Sequence, residues 1–380
     1  MVEKTKMHFL DLPEEILVAV FEYLDVDDGA DDSSATEIKH THIRELAYCS
    51  KRLHAIGLQF LLSEVLLSWP LLDLFNKELD TSLSAYTPYI TKLSIHIPSS
   101  WGEWHRSETL QDVLQKCTNV ETLSLSLSGS SKWLQYICPN YNVRTLHLIS
   151  NQQNSSPALF DTCDLYAFRS VKVLKLEFFK LQCEYPIEQR AVPLVTTVEE
   201  MEILNCEWNY PFSMSLFKNL KILSVFYTIK CEPFTYSERL KHLASHPPST
   251  LKKFAIHLNL HSSVRQKTWY PILSDCEELE LVSLKGFRYP AYEFFARLPL
   301  SLREIELHMP LKNYMALTAL NSLDTGMGSF LGMNFRNDLT SGKVVNKFGE
   351  ANIRVIVQAS NEPMQEQTDK LQNSNHYVAS

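Results

Sequence analysis

A six-residue apolar pattern, L-x-x-L-x-L with Leu relaxed to other apolar residues, recurs through most of this 380-residue chain. It appears as ITKLSI (90–95), VETLSL (120–125), VRTLHL (143–148), VKVLKL (171–176), VEEMEI (198–203), LKILSV (220–225), LKKFAI (251–256), LELVSL (279–284) and LREIEL (302–307). The fourth positions are 93, 123, 146, 174, 201, 223, 254, 282 and 305, with gaps of 30, 23, 28, 27, 22, 31, 28 and 23. A single hexapeptide of this kind arises easily by chance; nine in succession with gaps confined to 22–31 do not. The alternation at the fourth and sixth positions predicts a short strand with one buried face. A strand this short cannot bury that face alone, so each copy requires its neighbours to stack on it.

Segments between the strands carry apolar residues at helical spacing: LQDVLQKC (110–117), SKWLQYIC (131–138), SERLKHLA (237–244), AYEFFARL (291–298) and NYMALTAL (313–320). Each repeat therefore reads as a strand plus a short helix, an α/β solenoid over residues 63–358. SEVLLS (63–68) is its expected first strand, and VNKFGEANIRVIV supplies a last strand near Val355 to Val357. Residues 359–380 are polar and are expected to form a disordered tail. Alternating strands and helices also build ordinary βαβ domains, but the near-constant gap argues against that alternative.

The period falls in the range of leucine-rich repeats, slightly overrun. The stricter consensus places Asn or Cys three residues beyond the last Leu, where it satisfies backbone groups at the turn. Asn151, Cys206 and Asn259 comply, and Ser128 and Thr228 substitute in part. Pro98, Phe179, Phe287 and Pro310 do not. The array resembles the irregular repeats of F-box/leucine-rich-repeat proteins.

Residues ahead of the array form a different unit. In PEEILVAVFEYL (13–24), Pro13 suits a first helical turn and Glu14 and Glu15 sit at the positive end of the helix dipole. Ile16, Leu17, Val20, Phe21 and Leu24 make one stripe at helical spacing. The next segment, residues 25–37, holds Asp25, Asp27, Asp28, Asp31, Asp32 and Glu37 with no Lys or Arg. Those six charges account for most of the chain's net −8 and predict a mobile acidic loop. Helical patterning resumes at Thr41 and runs through Ile43, Leu46, Ala47, Leu53 and Ile56.

LPEEILVAVFEYL followed by IRELAYCSKRLHAIGLQFLLSEVLL resembles the F-box in the form common in fungal proteins. The matching residues are Leu12, Pro13, Glu15, Leu17, Phe21 and Leu24, then Leu46, Cys49, Ser50, Arg52 and Leu53. Cys49 stands where the family usually has Val, and the acidic insert replaces a short loop. The resemblance implies a three-helix module over residues 1–62 that docks on the Skp-family adaptor of an SCF ubiquitin ligase and, through it, a cullin. Short helices cannot bury this many apolar residues among themselves. Leu12, Pro13, Ile16, Leu17, Phe21, Leu24, Cys49 and Leu53 are the adaptor-binding candidates, with packing inside the module as the competing role for each.

On the strands, alternate side chains point away from the core toward the concave side of a solenoid. One outward set is Ser94, Ser124, His147, Lys175, Glu202, Ser224, Ala255, Ser283 and Glu306. A second, two residues on, is His96, Ser126, Ile149, Glu177, Leu204, Phe226, His257, Lys285 and His308. Within it Phe226, His257, Lys285 and His308 should lie on neighbouring strands. Aromatic residues beside charges are the anchors that binding sites use, so these four are the client-binding candidates.

The expected function is thus a substrate-recognition subunit of an SCF-type ligase that holds an unidentified client protein and does no covalent chemistry. The alternative is a repeat scaffold acting outside a ligase. Neither nucleic acid nor membrane is an expected partner: the net charge is negative and no apolar run approaches the ~18 residues of a spanning helix. The start, MVEKTKMHFLDLPEE, lacks the apolar region of a signal peptide. The cysteines form no C-x-x-C pair, which points to reduced thiols in the cytosol or nucleus. Phosphate-loop, dinucleotide, nucleophile-elbow and H-E-x-x-H signatures do not occur, so no cofactor is expected. His242/His246 and His257/His261 have metal-like spacing but lack further ligands, so no metal is expected either. Cys49 lies in an apolar helical context, where thiols are usually inert.

Overall fold

The computed structural model describes residues 10, 12–24, 42–97, 103–137, 139, 142–151, 158–182, 197–208, 214, 217–227, 248–258, 273, 275–285, 298–299, 301–310, 341–345 and 352–360. The acidic segment 25–37, the predicted helices 237–244 and 313–320, most of 291–298, and the tail beyond residue 360 lie outside them. The chain divides into two compact units, residues 1–126 and 127–380.

The first unit opens with three helices: α1 (Glu14–Leu24), α2 (residues 42–47) and α3 (Lys51–Leu61). The backbone N–H groups of Ile16 and Leu17 both bond the Pro13 carbonyl, which starts α1 where Pro13 itself lacks a donor. Ser50 caps α3: its Oγ accepts from the Leu53 N–H at 3.1 Å. Leu17, Phe21, Ile43, Leu53 and Ile56 form the shared core, with Leu12, Val18, Leu46, Phe60 and Leu61 packed against it. Gly57 lets the helices approach closely, for a Cβ there would lie 2.7 Å from Ala47 Cβ and 3.1 Å from the Phe21 ring. The Arg52 guanidinium donates to the Leu10 carbonyl at 2.9 Å and ties the leading residues to α3.

Beyond α3 come β1 (Glu64–Ser68), α4 (Trp69–Glu78), β2 (Lys92–Ile97), α5 (Glu103–Lys116) and β3 (Thr122–Leu127), with β1, β2 and β3 side by side in that order. α4 buries Trp69, Leu72 and Phe75. Lys116 on α5 reaches the Asn76 side chain at 2.9 Å and Asp80 at 2.6 Å.

The second unit continues through β4 (Thr145–Ser150), β5 (Leu159–Asp161), β6 (Val173–Glu177), β7 (Lys180–Gln182), β8 (Glu200–Leu204), β9 (Glu207–Trp208), β10 (Ile222–Tyr227), β11 (Lys253–Leu258), β12 (Leu281–Lys285), β13 (Glu304–Pro310), β14 (Ser341–Val345) and β15 (Asn352–Ser360). Its main sheet runs β4-β6-β8-β10-β11-β12-β13-β15-β14, parallel throughout except for the last, antiparallel pair. β5, β7 and β9 form a second, three-stranded parallel sheet. All nine motif copies thus hold strands β2, β3, β4, β6, β8, β10, β11, β12 and β13, and the expected first and last strands are β1 and β15.

The register is the repeat itself. Leu146, Leu174, Met201, Leu223, Phe254, Val282 and Ile305, all fourth positions, stand side by side across seven strands. None is more than 1% exposed. Leu148, Leu176, Ile203, Val225, Ile256 and Leu284 make a second buried row two residues on. Burying each such side chain contributes roughly 1.5–3 kcal/mol, and its neighbours in the stack supply part of that cover.

Strand entry repeats as well. The carbonyl two residues before each fourth position accepts two successive N–H groups of the next copy. Arg144 accepts from Lys172 and Val173, Lys172 from Glu199 and Glu200, Glu199 from Lys221 and Ile222, Lys221 from Lys252 and Lys253, Lys252 from Glu280 and Leu281, and Glu280 from Arg303 and Glu304.

The strand exits are irregular. Phe178 and Asn205 adopt left-handed φ values of 60° and 51°. Cys206 does what the consensus position predicts: its sulfur accepts from the Phe179 N–H at 3.4 Å and lies 3.4 Å from the Leu176 carbonyl. Phe179 departs from the consensus because it fills space instead, packing edge-on against Phe160 at 5.9 Å. The predicted helix 131–138 is a single 3-10 turn, Lys132–Tyr136. Just before that turn, Ser131 Oγ lies 2.5 Å from Asp164 Oδ2 and 2.9 Å from the Leu159 carbonyl, and the Asp161 N–H donates to Asp164 Oδ2 at 3.0 Å. Burial is the main cause that pushes the Asp164 carboxyl up to about 6.

Candidate binding face

The outward side chains of the second unit form rows fixed by backbone pairing. His147, Lys175, Glu202, Ser224, Ala255, Ser283 and Glu306 occupy one row across neighbouring strands. Ile149, Glu177, Leu204, Phe226, His257, Lys285 and His308 occupy the next. The four client-binding candidates are therefore consecutive: Phe226 pairs with His257, His257 with Lys285, and Lys285 with His308. Phe226, His257 and Lys285 are half-buried; for His308 the backbone position alone is described.

Contacts along these rows differ from end to end. His147 Nε2 lies 2.7 Å from Glu177 Oε1, and Lys175 Nζ lies 3.1 Å from Glu202 Oε2. Both links cross adjacent strands. The His257 ring stands edge-on to Phe226 at 5.0 Å and its Nε2 lies 3.2 Å from Ser283 Oγ. In the first unit, His96 Nδ1 lies 3.1 Å from Ser126 Oγ on the corresponding row.

At the strand entrances Glu199 bridges Lys221 at 2.5 Å and Lys172 at 2.9 Å. Hydrogen bonds from Lys221 and then Lys172 are the leading causes that hold its carboxyl down at about 2. The bridge spans three successive copies and is exposed, so it favours register more than stability.

The adaptor-binding candidates divide by burial. Leu17 and Phe21 are 0% exposed and Leu53 is 1% exposed, so these three belong to the module's own core and present no surface. Helical periodicity marks an apolar stripe but does not show which edge of it faces inward. Ile16 is 49% exposed, Pro13 and Cys49 are exposed, and Leu12 is half-buried. The Leu24 side chain lies outside the described residues. The sequence reading missed Leu10, Tyr23 and Tyr48, which are exposed at 41%, 80% and 74%. Tyr23 lies off the apolar stripe of α1, and its exposure is a tertiary property.

Burial pushes the Cys206 and Cys276 thiols up to about 12 and Cys117 to about 11, which removes thiolate character from all three. No group of three His, Cys, Asp or Glu suited to a metal occurs among the described residues. His242, His246 and His261, members of the two spaced pairs, lie outside them. No helix among the described residues is long and apolar enough to cross a membrane.

No protein-family model matches the chain, and no curated protein matches it. Two of the solved structures that are similar illustrate the range. One is a TLR13–ssRNA13 complex, 15% identical over 62% of this chain and 32% of that one, with a TM-score of 0.37. The other is an internalin (inlF) from Listeria monocytogenes, 12% identical over 63% of this chain and 68% of that one, with a TM-score of 0.28. The chain thus spans about a third of the length of the first. Likenesses this loose carry no argument about partners; the repeat architecture stands on the strand register itself.

Proposed function

We propose that the chain is a non-catalytic, protein-binding repeat scaffold and that it serves as the substrate-recognition subunit of an SCF-type ubiquitin ligase in the cytosol or nucleus. The N-terminal helices dock on a Skp-family adaptor and, through it, a cullin, while the outward rows of the strand array hold a client. Catalysis by such a subunit is proximity alone: the client's local concentration rises beside a charged ubiquitin-conjugating enzyme. The observation that carries this reading is a helical trio with a closed core that still leaves Leu10, Pro13, Ile16 and Tyr23 exposed. Exposed aromatic and aliphatic groups beside a rigid core are the usual anchors of an interface.

Co-purification with a Skp-family adaptor tests it. Ile16→Asp and Pro13→Ala, both at exposed positions, should weaken adaptor binding about tenfold or more without lowering the melting temperature, a loss typical of interface anchors. Wild-type protein that binds no adaptor would remove the ligase reading and leave the scaffold. Adaptor bound without a cullin would place the scaffold in some other assembly.

A further inference from the structure

The outward face divides into two chemically different halves. Over β4, β6 and β8 it holds two cross-strand pairs, His147–Glu177 and Lys175–Glu202. Over β10, β11 and β12 the residues are Ile222, Ser224 and Phe226, then Lys253, Ala255 and His257, then Leu281, Ser283 and Lys285. Lys253 and Lys285 have no carboxylate partner among the described residues. Carboxylates flank this half on both sides, Glu200 and Glu202 on β8 and Glu304 and Glu306 on β13. In this chain of net charge −8, Lys285 shares the row of the apolar pair Leu204 and Phe226, and Lys253 lies four residues along β11 from His257 of that row.

We propose that this half of the face is the docking site for an acidic peptide segment of a partner protein, with one apolar side chain seated on Leu204 and Phe226, carboxylates beyond it on His257 and Lys285, and a further carboxylate on Lys253, four residues along β11 from His257. The proposal rests on the protein-binding reading above and gives the partner its chemistry. Three features favour this occupant. Among the described residues neither lysine is paired with a carboxylate, so an incoming one displaces no described partner. Glu200, exposed on β8 beside β10, disfavours an anion displaced toward it. Leu204, Phe226, His257 and Lys285 also lie in one row at strand spacing. Two strand steps of about 4.8 Å separate Phe226 from Lys285, the reach of about three extended residues. The preferred segment therefore carries Asp or Glu about three residues from its apolar anchor.

A randomised peptide-display library selected on the full-length protein tests this. Enrichment of Asp and Glu about three positions from a Leu, Ile or Phe is expected. An enriched peptide, synthesised with a fluorescent label, should lose at least tenfold in affinity on Lys253→Glu/Lys285→Glu and on Phe226→Ala, with melting temperatures unchanged. Its lysine-for-glutamate counterpart should gain on the charge-reversed variant. Enrichment of basic peptides that still depend on Phe226 would overturn the acidic partner while keeping the face. Peptides insensitive to every one of these substitutions would overturn the face as well. No enrichment, or displacement by a single-stranded oligonucleotide irrespective of Phe226, would also overturn the proposal.

Discussion

The helical trio and the strand array bury their apolar residues by opposite means. In the trio, Leu17, Phe21, Ile43, Leu53 and Ile56 meet at one point from three helices, and each touches residues distant in sequence. In the array, Leu223 or Phe254 touches the same kind of residue on either side, one repeat away. A centre of five side chains is a single shared enterprise, whereas a row of seven is a set of nearest-neighbour agreements. Loss of one residue should therefore be global in the first and local in the second.

The sharpest way to break this contrast pairs Phe21→Ala with Phe254→Ala. Each should cost roughly 3–5 kcal/mol locally, as full truncation of a buried Phe does. Hydrogen exchange should rise throughout α1, α2 and α3 in the first variant, but only in β10, β11 and β12 in the second. Equal spread in both would end the distinction.

Next in size is a pH effect at the buried knot of Ser131, Asp161 and Asp164. The folded Asp164 carboxyl titrates near 6, above its ordinary value of 3.8. The folded state then binds more protons than the unfolded state between those values, so stability falls as pH rises from about 4 to 6. The loss is about 3 kcal/mol, of the order given by 1.36 kcal/mol per pKa unit. Denaturant titrations across this range on wild type and Asp164→Asn should show a slope that the variant lacks.

Gly57→Ala probes the trio's tightest approach. The added methyl meets Ala47 and should cost about 1–3 kcal/mol, typical of overpacking, read from the denaturant midpoint. Smallest is Ser50→Ala, which removes the cap on α3 and should cost about 1 kcal/mol by the same measurement.

The contrast also explains what was legible in the sequence. Nine strands could be read because their apolar period matches a strand that buries one face, and a fourth position in one copy is necessarily the partner of a fourth position in the next. The row of Phe226, His257 and Lys285 followed from the same arithmetic. The second sheet was hidden: β5, β7 and β9 have three, three and two residues, too few for a period to register. β14 was missed because its antiparallel pairing lies outside the repeat. α4 was missed because WPLLDLFNKE follows β1 directly, Ser68 to Trp69, with no turn to mark its start. In the trio the stripe was visible, but its inward edge was not: Leu17 and Ile16 are neighbours in sequence, one sealed and one half open.

The relay of carbonyls from Arg144 to Glu280 has a consequence for how such a surface can change. It makes the main chain a ruler, graduated at about 4.8 Å and indifferent to the letters written beside the marks. Exposed outward residues can be exchanged singly within about 0.5 kcal/mol of constant stability, so the chemistry of this face can be rewritten without redrawing the scale.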